Sequence, residues 1–550
     1  MSRFGVAAAL LAAGLTVWRL PSALGDERTS ESCDAAGFLQ HSKRAVAETT
    51  QTSTSETCTD LINEGTHFSI NVEVGTPSQT FKVVADTGSN SLIVDSCLCQ
   101  ERGSCSSTSR CFKGGGYSSS YSVFVKKEDN EPLQEVLTFG SGKIAGVFAK
   151  DVVKIGNMTT VMEDGLLLMV DQRLDFNTDN FEGILGLGPP IPADKALVRK
   201  DMAFFQGRHL LDGDGSRAGA GAAIVAGTAM PKQARQAEDK DAAITVDEER
   251  THMPHASGFM EQSGTSRFSM CFGDQTGGVL RIGGAKAEDR LASVGTYHWG
   301  VDLRGISVGD GEAMQHLKLC SREEMKKDQE TACSMLPDSG TTLMMGPEDQ
   351  VKQLLGTICD KWERCSKKHK EVEAFGEYDE PVEKGAIVTM LLKDCASWLS
   401  ESEHGLDELP PIQFHVAGAG HKDGAKPKAL ELAGVDYVVS YVDALHPKQV
   451  RTCKPAFGKI SFDTAKNGPI WIVGVPLFYV YNVAYDLETK SIAFTSLKEN
   501  GCGTCSKQIG LMGAGASTDA AGTAERAMLR HSPRQIWGEP RMPTSAFGEL

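Results

Sequence analysis

Two short segments of the chain carry an aspartate in the same local pattern. Asp86 follows an apolar run in VVADTGSNSLIV (residues 83–94), and Asp338 follows another in SMLPDSGTTLMM (residues 334–345). Burying a carboxylate is unfavourable unless it is hydrogen-bonded or paired, and each of these aspartates has a potential partner in the other. Two carboxylates in contact share a proton, so that one acts as an acid and the other as a base. The repeated pattern predicts acid–base chemistry in a cleft between two lobes that present one aspartate each.

The residues after each aspartate suit this chemistry. In both segments a hydroxyl, a glycine and a second hydroxyl come next, namely Thr87, Gly88, Ser89, Ser339, Gly340 and Thr341. The glycines let the backbone approach closely, the first hydroxyls could tie the two turns together, and the second hydroxyls could orient the carboxylates. A single copy would more often be an ordinary turn, whereas two copies with matched flanks are far more specific.

Further motifs extend the pattern, and with them the chain resembles the pepsin-type aspartic proteases over roughly residues 62–500. In chain order these motifs are VGTPSQTF (74–81), LTFGSGKIAG (137–146), FEGILGLG (181–188), PIWIVGVP (469–476) and YDLETKSIAF (485–494). The resemblance implies an all-β, bilobal fold with two related lobes and a central cleft. It also implies an aspartic endopeptidase that hydrolyses protein or peptide substrates, with Asp86 and Asp338 as catalytic residues, no cofactor and no metal.

The resemblance also implies a flap over the cleft. The flap residues would be Phe139, Gly140 and Ser141, with subsite positions at Ile93 and Thr342. The family usually has a tyrosine at the position of Phe139, hydrogen-bonded to a tryptophan at the position of Ile93. Because both partners are replaced together, an apolar contact takes the place of a polar one and no buried hydroxyl loses its partner. We expect altered flap dynamics and specificity with activity retained. A third departure is Pro337, which removes a backbone donor directly before Asp338.

Charge and composition restrict the partners of the protein. The 550 residues contain 56 Lys and Arg against 72 Asp and Glu, a net charge of −16, which argues against nucleic-acid binding. Residues 1–25 read as a secretory signal peptide, with Arg3 before an apolar run that is too short for a comfortable membrane span. We expect a monomer that is secreted or luminal, with an acidic vacuole-like or lysosome-like compartment as an alternative, and no stable membrane span after signal cleavage.

The rest of the chain divides into four predicted parts. These are a prosegment or disordered leader at 26–60, an N-terminal β-lobe at 61–265 with a flexible insertion at 193–258, a C-terminal β-lobe at 266–500, and a disordered tail at 501–550. The leader is rich in Ser and Thr and mostly acidic, unlike the basic prosegment that covers the cleft in pepsin-like zymogens. The tail is rich in Gly, Ala and Ser and shows no apolar anchor. Asn157, in the only glycosylation sequon, is predicted to lie at a hairpin turn.

Fifteen cysteines indicate an oxidising compartment. The predicted bridges are Cys320–Cys333 and Cys395–Cys453, both implied by the resemblance, and Cys359–Cys365, which are close enough in sequence to pair locally. Four cysteines between residues 97 and 111 predict two bridges, with a metal site as an alternative that their lack of CxxC spacing disfavours. Cys502 and Cys505 form a CxxC pair that is predicted to be a bridge rather than a redox motif. The odd total leaves one thiol, for which Cys33 is the candidate.

Two other functions compete with the endopeptidase on sequence alone. One is a catalytically silent relative that binds peptide or carbohydrate in a retained cleft, which the flap changes favour and the two intact aspartate turns oppose. The other is a structural secreted protein in which the aspartate pair is only a buried network, and no positive feature supports it. Peptide hydrolysis blocked by a statine-type peptide separates the first function from both alternatives.

Overall fold

The computed structural model describes residues 56–125, 130–174, 181–190, 257–273, 277–375, 381–420, 426–442, 451–498, 501–505 and 528–536. Strands dominate these residues, and the predicted all-β, bilobal fold is confirmed. The predicted signal peptide, Cys33, nearly all of the leader and nearly all of the 193–258 insertion lie outside the described residues. Within the described residues, no helix is both long and apolar enough to cross a membrane.

The strands follow the short, turn-punctuated pattern of the sequence. In the first half of the chain they are β1 Thr57–Asn63, β2 Phe68–Val74, β3 Gln79–Asp86, β4 Leu92–Asp95, β5 Ser122–Val123, β6 Gln134–Phe139, β7 Gly142–Ile155, β8 Met158–Leu174 and β9 Gly183–Gly186. In the second half they are β10 Arg267–Gly273, β11 Gly277–Ile282, β12 Leu291–Ala292, β13 Val301–Val308, β14 Gln315–His316, β15 Ser334–Pro337, β16 Met344–Gly346, β17 Ile412–Ala417, β18 Lys428–Leu432, β19 Val438–Val442, β20 Arg451–Pro455, β21 Phe457–Lys459, β22 Asp463–Thr464, β23 Gly468–Val473, β24 Tyr481–Asp486, β25 Ser491–Ser496 and β26 Arg534–Gln535. In β2 the side chains of Phe68, Ile70, Val72 and Val74 are fully buried, as period-two alternation predicts.

Within the residues that the structure describes, the helices are few and mostly belong to the second lobe. They are α1 Cys97–Glu101, α2 Phe259–Gln262, α3 Glu348–Lys361, α4 Glu363–Phe375, α5 Lys384–Lys393, α6 Cys395–Trp398 and α7 Val475–Phe478. Helices α3 to α6 form one packed group whose core includes Trp362 and Trp398, with ring centroids 5.6 Å apart. This group packs against the strands of the second lobe, where the Trp471 indole of β23 donates to Gln350 of α3 at 2.8 Å.

The strands around the two aspartates repeat the same topology. In the first lobe β3, which ends at Asp86, runs parallel to β9; β9 runs antiparallel to β4, and β4 runs parallel to β8. In the second lobe β15, which leads to Asp338, runs parallel to β23; β23 runs antiparallel to β16, and β16 runs parallel to β21. The duplication in the sequence therefore corresponds to a duplication in the fold.

A sheet shared by the two halves of the chain joins the lobes. Its strands follow the order β12-β25-β24-β10-β11-β1, and β1 continues into the first lobe by pairing with β2. One buried apolar cluster runs from the first lobe through this sheet into the second lobe, and a smaller cluster lies beneath the β6–β7 hairpin. Thr57–Leu61 pair with Ile282–Gly278 as a strand of this sheet, so the last residues of the predicted 26–60 leader are ordered. The boundary of a prosegment stays a prediction.

Fourteen cysteines form seven disulfides, which are Cys58–Cys505, Cys97–Cys111, Cys99–Cys105, Cys271–Cys502, Cys320–Cys333, Cys359–Cys365 and Cys395–Cys453. The last three join the pairs that the sequence analysis named, and the cluster after the first aspartate turn forms two bridges. The interpretation of Cys502 and Cys505 as one bridge is wrong. Each instead reaches a strand of the shared sheet, Cys502 to β10 and Cys505 to β1. The close spacing of Cys502 and Cys505 gave no information about their actual partners, Cys271 and Cys58, which are distant in sequence.

The prediction of a disordered tail without an apolar anchor is also wrong for the parts of the tail that the structure describes. Residues 501–505 are fixed by the two bridges. Farther along, β26 pairs in parallel with β19, and Leu529 and Ile536 are buried in the core of the second lobe. We call residues 528–536 the docked tail segment. Its apolar residues are too sparse to give a periodic pattern, which is why the sequence did not signal docking.

The docking of this segment depends on Arg534. Its guanidinium pairs with the fully buried Asp436 at 3.4 Å, donates to the Val435 carbonyl and lies 4.4 Å from the centre of the Tyr479 ring. Breaking a buried ion pair leaves an uncompensated charge. We therefore expect Arg534→Ala to weaken docking by about 3 kcal/mol, or roughly 100-fold in local opening.

Hydrogen exchange at the Ile536 amide measures this effect, because that amide donates to the Ser440 carbonyl at 2.7 Å. Arg530→Ala is the matched control, since Arg530 pairs with Asp407 while 47% of its side chain and 34% of the Asp407 side chain are exposed. An exposed pair contributes about 1 kcal/mol or less. Equal loss of protection in the two variants would contradict the assigned role of Arg534.

Candidate active site

Each aspartate is held by its own turn in the same way. The Gly88 amide donates to Asp86 Oδ1 at 2.8 Å, and the Ser89 hydroxyl donates to the other oxygen. The second turn repeats this: the Gly340 amide donates to Asp338 Oδ1 at 2.9 Å, and the Thr341 hydroxyl donates to Oδ2 at 2.7 Å. Both carboxylates are thus oriented through the glycine and the second hydroxyl of the sequence pattern.

The first hydroxyls join the two turns across the lobes. The Thr87 amide donates to Ser339 Oγ and the Ser339 amide donates to Thr87 Oγ1, both at 3.0 Å. Each hydroxyl in turn donates to a carbonyl of the opposite strand, Thr87 to Pro337 and Ser339 to Ala85. Both side chains are almost completely buried, so these bonds are protected from water and fix one lobe against the other.

Pro337 fits this arrangement. It is the last residue of β15, and β13 pairs with β15 only at Ser334 and Met335, so no ladder bond is lost at the proline nitrogen. Its carbonyl accepts from both Thr87 Oγ1 and the Tyr485 hydroxyl. The proline ends the strand at the point where the second aspartate turn begins.

The two carboxylates lie against one another's turns. A Cβ atom added to Gly88 would lie 2.7 Å from Asp338 Oδ2, and a Cβ atom added to Gly340 would overlap Asp86. Burial, together with the charge of the neighbouring Asp338, raises the pKa of Asp86 to about 7, although the bonds from Ser89 and Gly88 oppose this rise. Such a coupled pair holds one proton over mildly acidic pH, and the titration belongs to the pair rather than to either residue.

The flap positions form the tip of the β6–β7 hairpin. Phe139 pairs with Gly142, which leaves Gly140 and Ser141 at the tip. The Phe139 ring packs against the small apolar cluster that contains Ile93, whose side chain is 1% exposed. Phe139 and Ile93, which stand where the family usually has tyrosine and tryptophan, therefore lie in one apolar contact region. Phenylalanine at residue 139 brings no hydroxyl into this region.

Thr342, which was predicted to lie at a subsite, makes a hydrogen bond between the two lobes. Its hydroxyl donates to the Thr66 carbonyl at 2.8 Å, between the loop before β2 and the second aspartate turn. In this conformation the side chain links the two lobes. A role for Thr342 in a subsite stays a prediction.

Two ionisable side chains in unusual surroundings, His298 and Asp95, were not predicted from the sequence. His298 lies in the loop before β13, and its Nδ1 donates to the Gly88 carbonyl at 3.0 Å. Asp95 ends β4, is completely buried, and neither of its carboxylate oxygens has a hydrogen-bond partner among the described residues. No motif marks His298, whereas the charged residue at the end of the apolar run LIVD is a signal that could have identified Asp95.

Titration of Asp95 makes the free energy of unfolding depend on pH. Burial, together with the charge of Glu182, raises its pKa to about 7. Because the pKa is higher in the folded state, the stability that Asp95 contributes is fully present below its unfolded pKa near 4 and is lost as pH rises through 7. We expect Asp95→Asn to match the wild type near pH 4 and to be more stable by on the order of 3 kcal/mol at pH 7.5.

Urea unfolding at the two pH values measures this difference. The exposed Asp463 provides the control, and Asp463→Asn should leave both values unchanged. A stability gain for Asp95→Asn that is the same at both pH values would contradict titration of Asp95 as the cause.

Comparison of the sequence with known proteins gives a match to one family model and matches to individual aspartic proteases. A family model for the eukaryotic aspartyl proteases matches residues 67–207, which include Asp86 but end before Asp338. Renin from Echis ocellatus is 22% identical over 77% of this chain and 79% of its own length. Vacuolar protease A from Aspergillus fumigatus is 33% identical over 27% of this chain and 38% of its own length, and phytepsin from Hordeum vulgare is 31% identical over 26% and 29%. With the duplicated topology and the paired turns, these matches show that the chain is similar to the pepsin-type aspartic proteases.

Proposed function

We propose that the protein is an aspartic endopeptidase that hydrolyses peptide bonds with a water molecule held between Asp86 and Asp338. The observation that carries this proposal is the reciprocal bonding of Thr87 and Ser339, which sets the two carboxylates against one another's turns. A pair fixed in this way supplies an acid and a base at the same point without any further group.

The reaction follows from one proton shared by two carboxylates. The ionised carboxylate takes a proton from the water, which attacks the scissile carbonyl carbon. The protonated carboxylate donates a hydrogen bond to the carbonyl oxygen as the tetrahedral diol forms. The C–N bond then breaks as the amine nitrogen is protonated, and no covalent enzyme intermediate forms. The raised pKa of Asp86 supports this assignment, since it keeps the proton on the pair in mildly acidic solution.

Substrate would lie in an extended conformation beneath the flap. The main-chain groups of Gly140 and Ser141 lie at the hairpin tip, where an extended peptide could add as a further strand. The Phe139 ring and the cluster around Ile93 offer apolar surface there. We therefore expect apolar side chains on the residues that flank the cleaved bond.

Hydrolysis of a quenched peptide library between pH 3 and pH 8 tests the proposal. Activity should be bell-shaped with pH, because only the singly protonated pair is active, and a statine-type peptide should abolish it. Rates that keep rising above neutral pH, or trapping of an acyl-enzyme, would contradict the mechanism.

A catalytically silent peptide-binding relative is the second candidate. It is favoured by one observation, the apolar pair of Phe139 and Ile93 where the family pattern has a bonded tyrosine and tryptophan. Binding of the statine-type peptide without turnover of any library peptide would support this candidate over the endopeptidase.

The cellular setting is proposed on the same basis. Seven disulfides fit passage through the secretory pathway, and residues 1–25 are proposed as the signal peptide that directs it. The prosegment is proposed to end before Thr57, where β1 begins. Asn157 is exposed in the turn between β7 and β8, which makes it available for glycosylation. We propose that the mature protein acts as a monomer in an acidic compartment.

A further inference from the structure

His298 connects the second lobe to the first catalytic turn. Because the Gly88 carbonyl can only accept a hydrogen bond, the 3.0 Å contact requires a proton on His298 Nδ1. The loop that carries the imidazole is itself fixed: the neighbouring Trp299 indole donates to the Leu187 carbonyl at 2.9 Å, and the Gly300 amide donates to Ser293 Oγ. The imidazole is therefore held in place from its own loop and is not a mobile surface side chain.

Gly88 lies between the two carboxylates, so a hydrogen bond to its carbonyl affects the positions of both carboxylates. Its amide donates to Asp86 Oδ1 at 2.8 Å, and its Cα faces the Asp338 carboxylate so closely that a Cβ atom would lie 2.7 Å from Oδ2. A group that fixes the Gly88 peptide thus fixes the distance between the two aspartates. Within the described residues, neither aspartate turn donates a hydrogen bond to the Gly88 carbonyl.

We propose that His298 is a positioning residue that holds the first catalytic turn through the Gly88 carbonyl, and that its charge extends activity toward lower pH. The proposal rests on the endopeptidase function argued above. It assigns to His298 two separable actions, a hydrogen bond that does not depend on protonation of Nε2 and a positive charge that does.

The charge acts mainly on Asp338. Burial lowers the pKa of His298, and the bond to Gly88 and the negative charge of Asp338 oppose this. At mildly acidic pH the imidazole is therefore largely neutral and only donates. At more acidic pH it becomes an imidazolium, which favours the remaining negative charge on the Asp86–Asp338 pair and delays its loss. In β13, which follows this loop, the charges of Arg304 and Asp302 pair with each other.

Two substitutions separate the bond from the charge. His298→Asn keeps an amide donor for the Gly88 carbonyl but cannot become positive, whereas His298→Phe removes both. We expect the acid limb of the pH profile to move up by about one pH unit in both variants, while the neutral limb stays within about 0.2 units because the wild-type imidazole is uncharged there. At the optimum, kcat should be nearly unchanged in His298→Asn and about tenfold lower in His298→Phe.

The exposed His404 provides the control, and His404→Asn should leave both limbs in place. Thermal unfolding of each variant separates misfolding from a changed pH profile. An acid limb that does not move in either His298 variant would overturn the proposal. A kcat equally reduced in both variants with no shift of the limb would show a structural role only.

A second readout does not require hydrolysis. The imidazole of His298, assigned among the 13 histidines by its absence in His298→Asn, can be titrated by NMR in the wild type and in Asp338→Asn. Removing the Asp338 charge should lower the imidazole pKa further, and an unchanged titration would overturn the coupling. If the wild type hydrolyses no peptide, the endopeptidase proposal fails. The role of His298 is then tested by this titration and by the lowest pH at which the statine-type peptide still binds.

Discussion

Replacing either Asp86 or Asp338 with asparagine should reduce peptide hydrolysis by about 10³-fold or more without unfolding the protein. Asparagine keeps the shape of the side chain and can accept the bonds from Gly88 and Ser89, or from Gly340 and Thr341. It can neither release nor carry the shared proton, so neither the base nor the acid of the pair is complete. The two variants should be equally inactive because the pair acts as one unit.

Single-turnover hydrolysis of a quenched peptide, measured between pH 3 and pH 8, gives this loss directly. The exposed Asp310 is the matched control, and Asp310→Asn should keep the wild-type rate. Statine-peptide binding and the melting temperature should stay close to wild type in the catalytic variants. Undiminished turnover in either Asp86→Asn or Asp338→Asn would disprove a two-carboxylate mechanism.

The second large effect is expected from single methyl groups at the two turn glycines. Gly88→Ala would place a carbon 2.7 to 2.8 Å from the Asp338 carboxylate, and Gly340→Ala would place one 2.7 Å from Asp86 Cγ. Atoms cannot stay this close, so the carboxylates must separate by several tenths of an ångström or more. Because catalysis depends on that separation, kcat should fall by about 10² or more.

Gly356→Ala is the control for the effect of an added methyl group. Gly356 lies inside α3 with no atom within 4 Å of its added Cβ, so alanine there should leave activity unchanged and raise stability by about 1 kcal/mol. Steady-state kinetics and urea unfolding of the three variants make the comparison. Full activity in both Gly88→Ala and Gly340→Ala would mean that the two turns are not in contact in the working protein.

The sequence predicted the parts of the molecule that local chemistry repeats. Asp86 and Asp338 stand in matched patterns of hydroxyls and glycines, and the structure brings these two turns together through Thr87 and Ser339. The alternating burial of side chains in β2 and the all-β fold class could also be predicted, because successive side chains of a strand point to opposite faces of the sheet. These features depend on residues that are close in sequence or on a duplicated motif.

Features that depend on partners far apart in the chain were not predicted. Cys505 pairs with Cys58 across 447 residues, and β26 joins a sheet through only two residues. Asp95 and His298 lie in no motif, and only the packing of other segments around them makes their ionisation unusual. The role of Arg534 likewise depends on Asp436 and Tyr479, which come from separate elements.

The disulfide pattern has a consequence for a chain cut between β9 and α2, in the 191–256 stretch. Of the seven bridges, only Cys58–Cys505 would then link the N-terminal piece to the C-terminal piece, since the other six each lie within one piece. Such a nicked protein would migrate as one band on a non-reducing gel and as two bands after reduction. A second cut between residues 505 and 528 would release a peptide with no cysteine. That peptide would stay bound through noncovalent contacts, which within the described residues are those of the docked tail segment, so dilution or exchange could remove it while the two larger pieces stay joined.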